Sequence, residues 1–203
     1  MEFLFIIAIL IMSVVIHEVA HGYMALALGD TTAKHQGRLT LNPLSHLDPV
    51  GSFFVPLIGY LLGGFIIGWA KPVPFNPYNL RNARWGEALV AIAGPLSNIC
   101  LALIFGLLIR FGSPTDLFGG ESLSLLSFIV LINITLAFFN LVPIPPLDGS
   151  KILFSFLPLK MQWLRLAIER FGILFALFFV FFLWQFVSPL VLKLYVLLTG
   201  LAF

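Results

Sequence analysis

The chain has 203 residues, of which 60% are hydrophobic and 10% charged, with a formal net charge of +2. Soluble globular domains carry about 25% charged residues, so this composition excludes an ordinary soluble domain and describes a polytopic membrane protein with room for about four to six spanning segments. The few basic residues form no stripe, which excludes nucleic acid as a partner. Cys100, the single cysteine, excludes an internal disulfide and reads as a small buried apolar residue.

In chain order, apolar runs of membrane length cover about 3–28, 52–70, 85–111, 124–146 and 171–203. The first lacks the basic start of a signal peptide and stays apolar past two histidines, so it is expected to be a retained helix. After it, GRLTLNP (Gly37 to Pro43) alternates Leu39 and Leu41 with Arg38 and Thr40, the pattern of a short β element. The second run carries Pro56, Gly59, Gly63, Gly64 and Gly68, which are poor helix formers. A re-entrant path is expected for it, because that path gathers nine of the 11 basic residues on one side, taken as cytoplasmic, whereas a spanning path gathers seven. Pro143, Pro145 and Pro146 break the fourth run near its end, and the last run holds Ser188 and Pro189. That last run is either one kinked helix or a span followed by a shorter segment. The expected fold class is all-α: a polytopic bundle of about 4–6 membrane segments with a re-entrant segment and a short β element after the first helix. One domain is expected over 1–203, with a catalytic core at about 3–153 and C-terminal membrane segments at about 171–203.

The stretch VVIHEVAHGY (Val14 to Tyr23) sets His17, Glu18 and His21 inside the first apolar run. Ionisable groups inside a membrane cost several kcal/mol and mark function. Residues four apart share a helix face, so two imidazoles can meet one ion. Glu18 is turned toward His21 in projection, where a carboxylate reaches a metal's water without ligating. H-E-x-x-H is the zinc metalloprotease signature, and imidazoles with a carboxylate suit Zn²⁺. A catalytic zinc takes three protein ligands, so one must come from elsewhere. Asp148 is the best candidate, because the prolines before it let a carboxylate turn inward, although Asp-Gly alone signals only a turn. The re-entrant path brings His17, His21 and Asp148 to the same leaflet, whereas the spanning path leaves His17 roughly 20 Å from Asp148's end of the membrane.

HEVAH (His17 to His21), AGPLSN (Ala93 to Asn98) and NLVPIPPLDG (Asn140 to Gly149) resemble the motifs of the site-2 protease family of intramembrane zinc metalloproteases. GRLTLNPLSHLDPVG (Gly37 to Gly51) and GWAKPVPFNP (Gly68 to Pro77) resemble the short, compact branch of that family. The resemblance implies one Zn²⁺ per chain, bound by His17, His21 and Asp148, with Glu18 passing a proton from water to the leaving nitrogen. It implies hydrolysis of peptide bonds within or next to transmembrane segments of membrane proteins, in a prokaryotic plasma membrane; charge and ligand depth are what place the active site toward the cytoplasmic leaflet. Asn140 is implied to bind substrate or stabilise the oxyanion. Asn98 is a second candidate for that role, or else an interhelical hydrogen bond, and Asn133 reads as packing. His35 and His46 read as solvated or interfacial. The GRLTLNP element, or the re-entrant segment beside it, is expected to pair with an unwound substrate, or else to be an interfacial loop. Expected partners are transmembrane substrates and the lipid bilayer, with a homo-oligomer or a regulatory membrane partner left open. The competing functions are a proton or metal-ion transporter, against which the acids are too concentrated at Glu18 and Asp148, and an inactive protease-like scaffold, against which the ligand set is intact.

Overall fold

A computed structural model describes residues 2–48, 50–54, 58, 71–82, 84–112 and 119–201. The main elements are α1 (Glu2–Ala27), a short α2 (Thr32–His35), α3 (Gly86–Gly112), α4 (Gly120–Asn140), α5 (Asp148–Phe156), α6 (Gln162–Arg170), α7 (Gly172–Phe178) and α8 (Trp184–Thr199). Helices are what a lipid-embedded chain must form, because each backbone group then finds its partner within the segment. Among the described residues, four stretches are long and apolar enough to cross a membrane: Leu4–Ala27, Gly86–Gly112, Gly120–Asn140 and Gly172–Thr199. The chain is a multi-pass integral membrane protein.

Helix α1 stops where Gly29 takes φ 107°. The Asp30 N–H then donates to Ala25 O at 2.9 Å and the Gly29 N–H to Leu26 O at 3.0 Å, which satisfies carbonyls the helix end leaves open. Helix α3 is central and packs on α1, α4, α5 and α8. Its buried Ala91, Gly94, Asn98, Ala102, Gly106 and Ile109 recur three or four residues apart, a mostly small-residue stripe that lets neighbouring helices approach closely. Toward one end of α3, Ala102 and Ile109 pack with Val130, Ile134, Val191, Tyr195 and Leu198 of α4 and α8. Toward the other, Val90 packs with Ala25 and Leu80.

The last apolar run is one continuous helical path: α7 passes through a π-type turn, Phe179–Leu183, into α8. Pro189 cannot donate to Gln185 O, and the Ser188 hydroxyl donates to that carbonyl at 3.4 Å. Phe181 and Phe186 point outward, as a lipid-facing helix requires, while Val191, Tyr195, Leu198 and Thr199 are buried against the bundle.

Three expectations change. The short β element is not formed: all of Gly37 to Pro43 is described, and no strand occurs among the described residues. A strand needs a neighbour's ladder, and here some of the local backbone groups are engaged otherwise. The Arg38 N–H donates to Ala33 O at 2.9 Å, Thr40 O accepts from His46 Nε2 at 2.8 Å, and the Leu44 N–H donates to Asn42 Oδ1 at 3.1 Å. Cys100 is exposed on α3, not buried, and of the two alternatives for His46, solvated or interfacial, its burial removes the solvated one. The proposed re-entrant segment, 52–70, lies almost wholly outside the described residues.

Candidate metal centre

His17 and His21 sit one turn apart on α1, and both are buried. Asp148 reaches them from the first turn of α5, because α4 ends at Asn140 and the proline-rich connection turns the chain before a new helix begins. His17 Nε2, His21 Nε2 and Asp148 Oδ2 stand 3.0, 3.1 and 3.1 Å from one another.

The outer nitrogens decide what the inner ones present. His21 Nδ1–H donates to Val90 O at 2.7 Å, and a carbonyl only accepts, so His21 Nε2 keeps its lone pair. His17 Nδ1 meets Asn98 Oδ1 at 2.6 Å, which leaves His17 Nε2 in the same state. With both imidazoles neutral, two lone pairs and a carboxylate oxygen therefore converge on one point, an arrangement that a shared cation relieves. The donor set suits Zn²⁺, whose ligands at about 2.0–2.1 Å in tetrahedral geometry stand about 3.3 Å apart. Room for an ion comes from Gly94: a β-carbon there would stand 2.5 Å from His21 Nε2 and 2.6 Å from His17 Nε2. The second carboxylate oxygen, Asp148 Oδ1, accepts from Lys151 Nζ at 3.1 Å, which leaves Oδ2 to face the histidines.

Glu18 is held by a strap, residues 71–76, that crosses α1. Its Oε2 accepts from the Val73 N–H at 2.8 Å. Pro72 and Pro74 have no N–H, so Val73 carries the one backbone donor between them. The strap is itself fastened: Arg38 Nη2 donates to Lys71 O at 2.9 Å, the Lys71 N–H to His46 O at 2.8 Å and the Asn76 N–H to Asp30 Oδ2 at 2.6 Å. Asp30 also accepts from the Thr32 N–H and hydroxyl and from Asn79 Nδ2. Burial pushes its carboxyl up, but those four bonds outweigh it and hold the group below the usual carboxylate range.

Sequence reasoning brought His17, His21 and Asp148 to one point, and they meet. Asn140 is not drawn into that cluster: its Nδ2 donates to Leu136 O of its own helix at 3.0 Å. Asn98 contacts a histidine rather than an open site. Val73, Lys151 and Gly94 were not singled out from the sequence. Only the P-V-P pattern hinted at the first, since it isolates one donor. A cavity of about 430 Å³ adjoins Lys151 and is lined in part by Phe75, Glu87, Ser150, Arg165 and Glu169.

The family model for Peptidase family M50 matches residues 116–183. The chain is 39% identical over 191 residues to "Putative zinc metalloprotease YwhC" of Bacillus subtilis, a match covering 92% of this chain and 81% of that protein. It is 34% identical over 148 residues to "Putative zinc metalloprotease Rip2" of Mycolicibacterium smegmatis, covering 72% of this chain and 55% of the relative. The Rip2 protein of Mycobacterium tuberculosis is 30% identical over 175 residues, covering 86% and 66%. No solved structure matches the chain.

Proposed function

The chain belongs to peptidase family M50 and is a zinc metalloprotease of the site-2 type; on that premise we propose that it hydrolyses peptide bonds within or next to transmembrane segments of membrane proteins. The observation that carries this reading is the convergence of His17, His21 and Asp148 among helices apolar enough for a bilayer. We assign the whole of 1–203 to one intramembrane protease domain.

In this reading His17, His21 and Asp148 hold the zinc. When bound, the metal lowers the pKa of water toward about 7 and polarises the scissile carbonyl. Glu18 accepts the proton of the attacking water and delivers it to the leaving nitrogen. The Val73 N–H holds one oxygen of Glu18 and leaves the other for that transfer. Asn140 is assigned to the substrate or its oxyanion, since one hydrogen of its amide holds Leu136 O and the second remains to donate. A helical substrate has to unwind locally, because its carbonyls are otherwise engaged in its own hydrogen bonds.

The protein is assigned to a prokaryotic plasma membrane with the site toward the cytoplasmic leaflet. Supporting this, Lys34 and Arg38 follow α1, Lys71, Arg81 and Arg84 precede α3, and Lys151, Lys160, Arg165 and Arg170 lie in or between α5 and α6, and positive loops stay inside.

The test is zinc content and cleavage of a transmembrane substrate, measured together on wild type, His17→Ala, Asp148→Ala and Glu18→Gln. About one zinc per chain is expected in wild type and Glu18→Gln, with loss in both ligand variants. Glu18→Gln should lose about 10²–10⁴-fold in turnover. Zinc retained in both ligand variants, or a fully active Glu18→Gln, would defeat the assignment.

A further inference from the structure

Asn98 and Asn133 are both completely buried, and together they join three membrane helices to one metal ligand. Asn98 Oδ1 faces His17 Nδ1 at 2.6 Å, while Asn98 Nδ2 donates to Asn133 Oδ1 at 2.8 Å and to Ser13 O at 3.3 Å. Asn133 Nδ2 donates in turn to Ser13 Oγ at 2.9 Å and to Ile129 O at 2.8 Å.

Two of these acceptors, Ser13 O and Ile129 O, are backbone carbonyls and can only accept. They set the direction of every bond in the chain. Ile129 O requires the NH₂ of Asn133, so Asn133 Oδ1 is left for Asn98. Ser13 O and Asn133 Oδ1 require the NH₂ of Asn98, so only its oxygen is left for His17. The hydrogen between Asn98 and His17 must then sit on His17 Nδ1, and His17 Nε2 keeps the lone pair that a metal needs.

We propose that Asn98 and Asn133, anchored on Ser13 and Ile129, are positioning residues that hold His17 in its Nδ1–H tautomer and thereby set the zinc affinity of the site. This rests on the reading of His17 as a zinc ligand. His21 obtains the same result from Val90 O alone, because a helical carbonyl has one fixed polarity. A side-chain amide does not. Rotated by 180°, Asn98 would offer N–H to His17 Nδ1, move the ring hydrogen to Nε2 and block ligation. That rotation also sets its oxygen against Asn133 Oδ1 and Ser13 O, two buried acceptor contacts without a hydrogen. Asn133 therefore supplies the shorter of the two contacts, 2.8 Å against 3.3 Å for Ser13 O, that hold Asn98 in this orientation. Interhelical packing alone would be served by either orientation, whereas ligation is served by one.

The experiment uses the full chain in detergent, with two measurements: zinc affinity by competition with a chelator, and histidine ¹⁵N spectra of the zinc-free protein, which report the tautomer. Asn98→Leu is expected to weaken zinc about 10–100-fold, the usual effect of losing a ligand's outer partner, and to give His17 a mixed or Nε2–H tautomer with His21 unchanged. Asn98→Asp retains an acceptor at Nδ1 and is expected to keep His17 in the Nδ1–H tautomer, although its second oxygen then meets the acceptors Ser13 O and Asn133 Oδ1. Asn133→Ala leaves only the longer 3.3 Å bond to Ser13 O to orient Asn98 and is expected to mix the His17 tautomers, which a purely structural role would not do. Wild-type affinity together with an unaltered His17 tautomer in Asn98→Leu overturns the proposal. If that variant does not fold, the same result in folded Asn133→Ala overturns it equally. Wild type that binds no zinc defeats the ligand reading itself, whereas zinc-binding wild type with insensitive variants defeats only the positioning role.

Discussion

Gly94 gives the metal centre its room. Its missing β-carbon would stand 2.5–2.6 Å from both ligand nitrogens, closer than carbon and nitrogen approach without a bond, and in the space an ion at about 2.0–2.1 Å requires. Gly94→Ala is expected to abolish stoichiometric zinc binding while leaving helix content intact, as metal analysis and circular dichroism would report. A variant with a full zinc complement would mean that α3 yields at this point. Asp30 makes a different prediction, because its folded pKa lies below the ordinary value. Its contribution to stability is present above the unfolded pKa of about 3.9 and is lost as pH falls through the lower folded value. Asp30→Asn should therefore cost about 1–3 kcal/mol at pH 7, from weakened charge-assisted hydrogen bonds. The resulting gap in Tm should close as pH falls below about 4. A gap independent of pH would show that hydrogen-bond geometry, not charge, holds the loop.

Among the elements, the strap at 71–76 works by offering a single donor. Pro72 and Pro74 rigidify the chain on either side of Val73, and Arg38, His46 and Asp30 tie its ends. Val73→Pro removes the N–H that holds Glu18 and is expected to lower turnover about 10–100-fold with zinc retained, since a misoriented base loses near-attack geometry. Val73→Ala keeps the N–H and should stay near wild type. Equal loss in both would assign the effect to Val73 packing instead. The alternation of Leu39 and Leu41 misled because period-two hydrophobicity describes a strand only where a second strand supplies partners, and here Arg38 N–H and Thr40 O go to Ala33 and His46 instead.

At the scale of the whole molecule, the four apolar stretches and the basic end define an orientation that labelling can read. In a Cys100→Ser background, Lys160→Cys is expected to react with an impermeant maleimide only from the cytoplasmic side, and Glu121→Cys only from outside. Reversed labelling would move the metal centre to the other leaflet. The exposed apolar face of α7 and α8 is what a lipid-covered helix presents, so its many outward phenylalanines need no buried partner.

Membrane class, the main spans and the histidine pair with its glutamate are properties of local composition and spacing, and the sequence by itself determined them. Hydropathy acts over about 20 residues and helical periodicity over four, both within reach of one segment. Asp148 was legible because its carboxylate follows a proline break that must end a helix. Tertiary structure alone decided which groups surround those ligands. Asn98 meets His17 across 81 residues, Asp148 meets it across 131, and the Val73 N–H meets Glu18 across 55. The direction of the Asn98–Asn133 bonds, the space left by Gly94 and the outward face of Cys100 follow from how α3 packs against α1 and α4. Such packing depends on side chains from distant segments fitting at once, which no local pattern encodes.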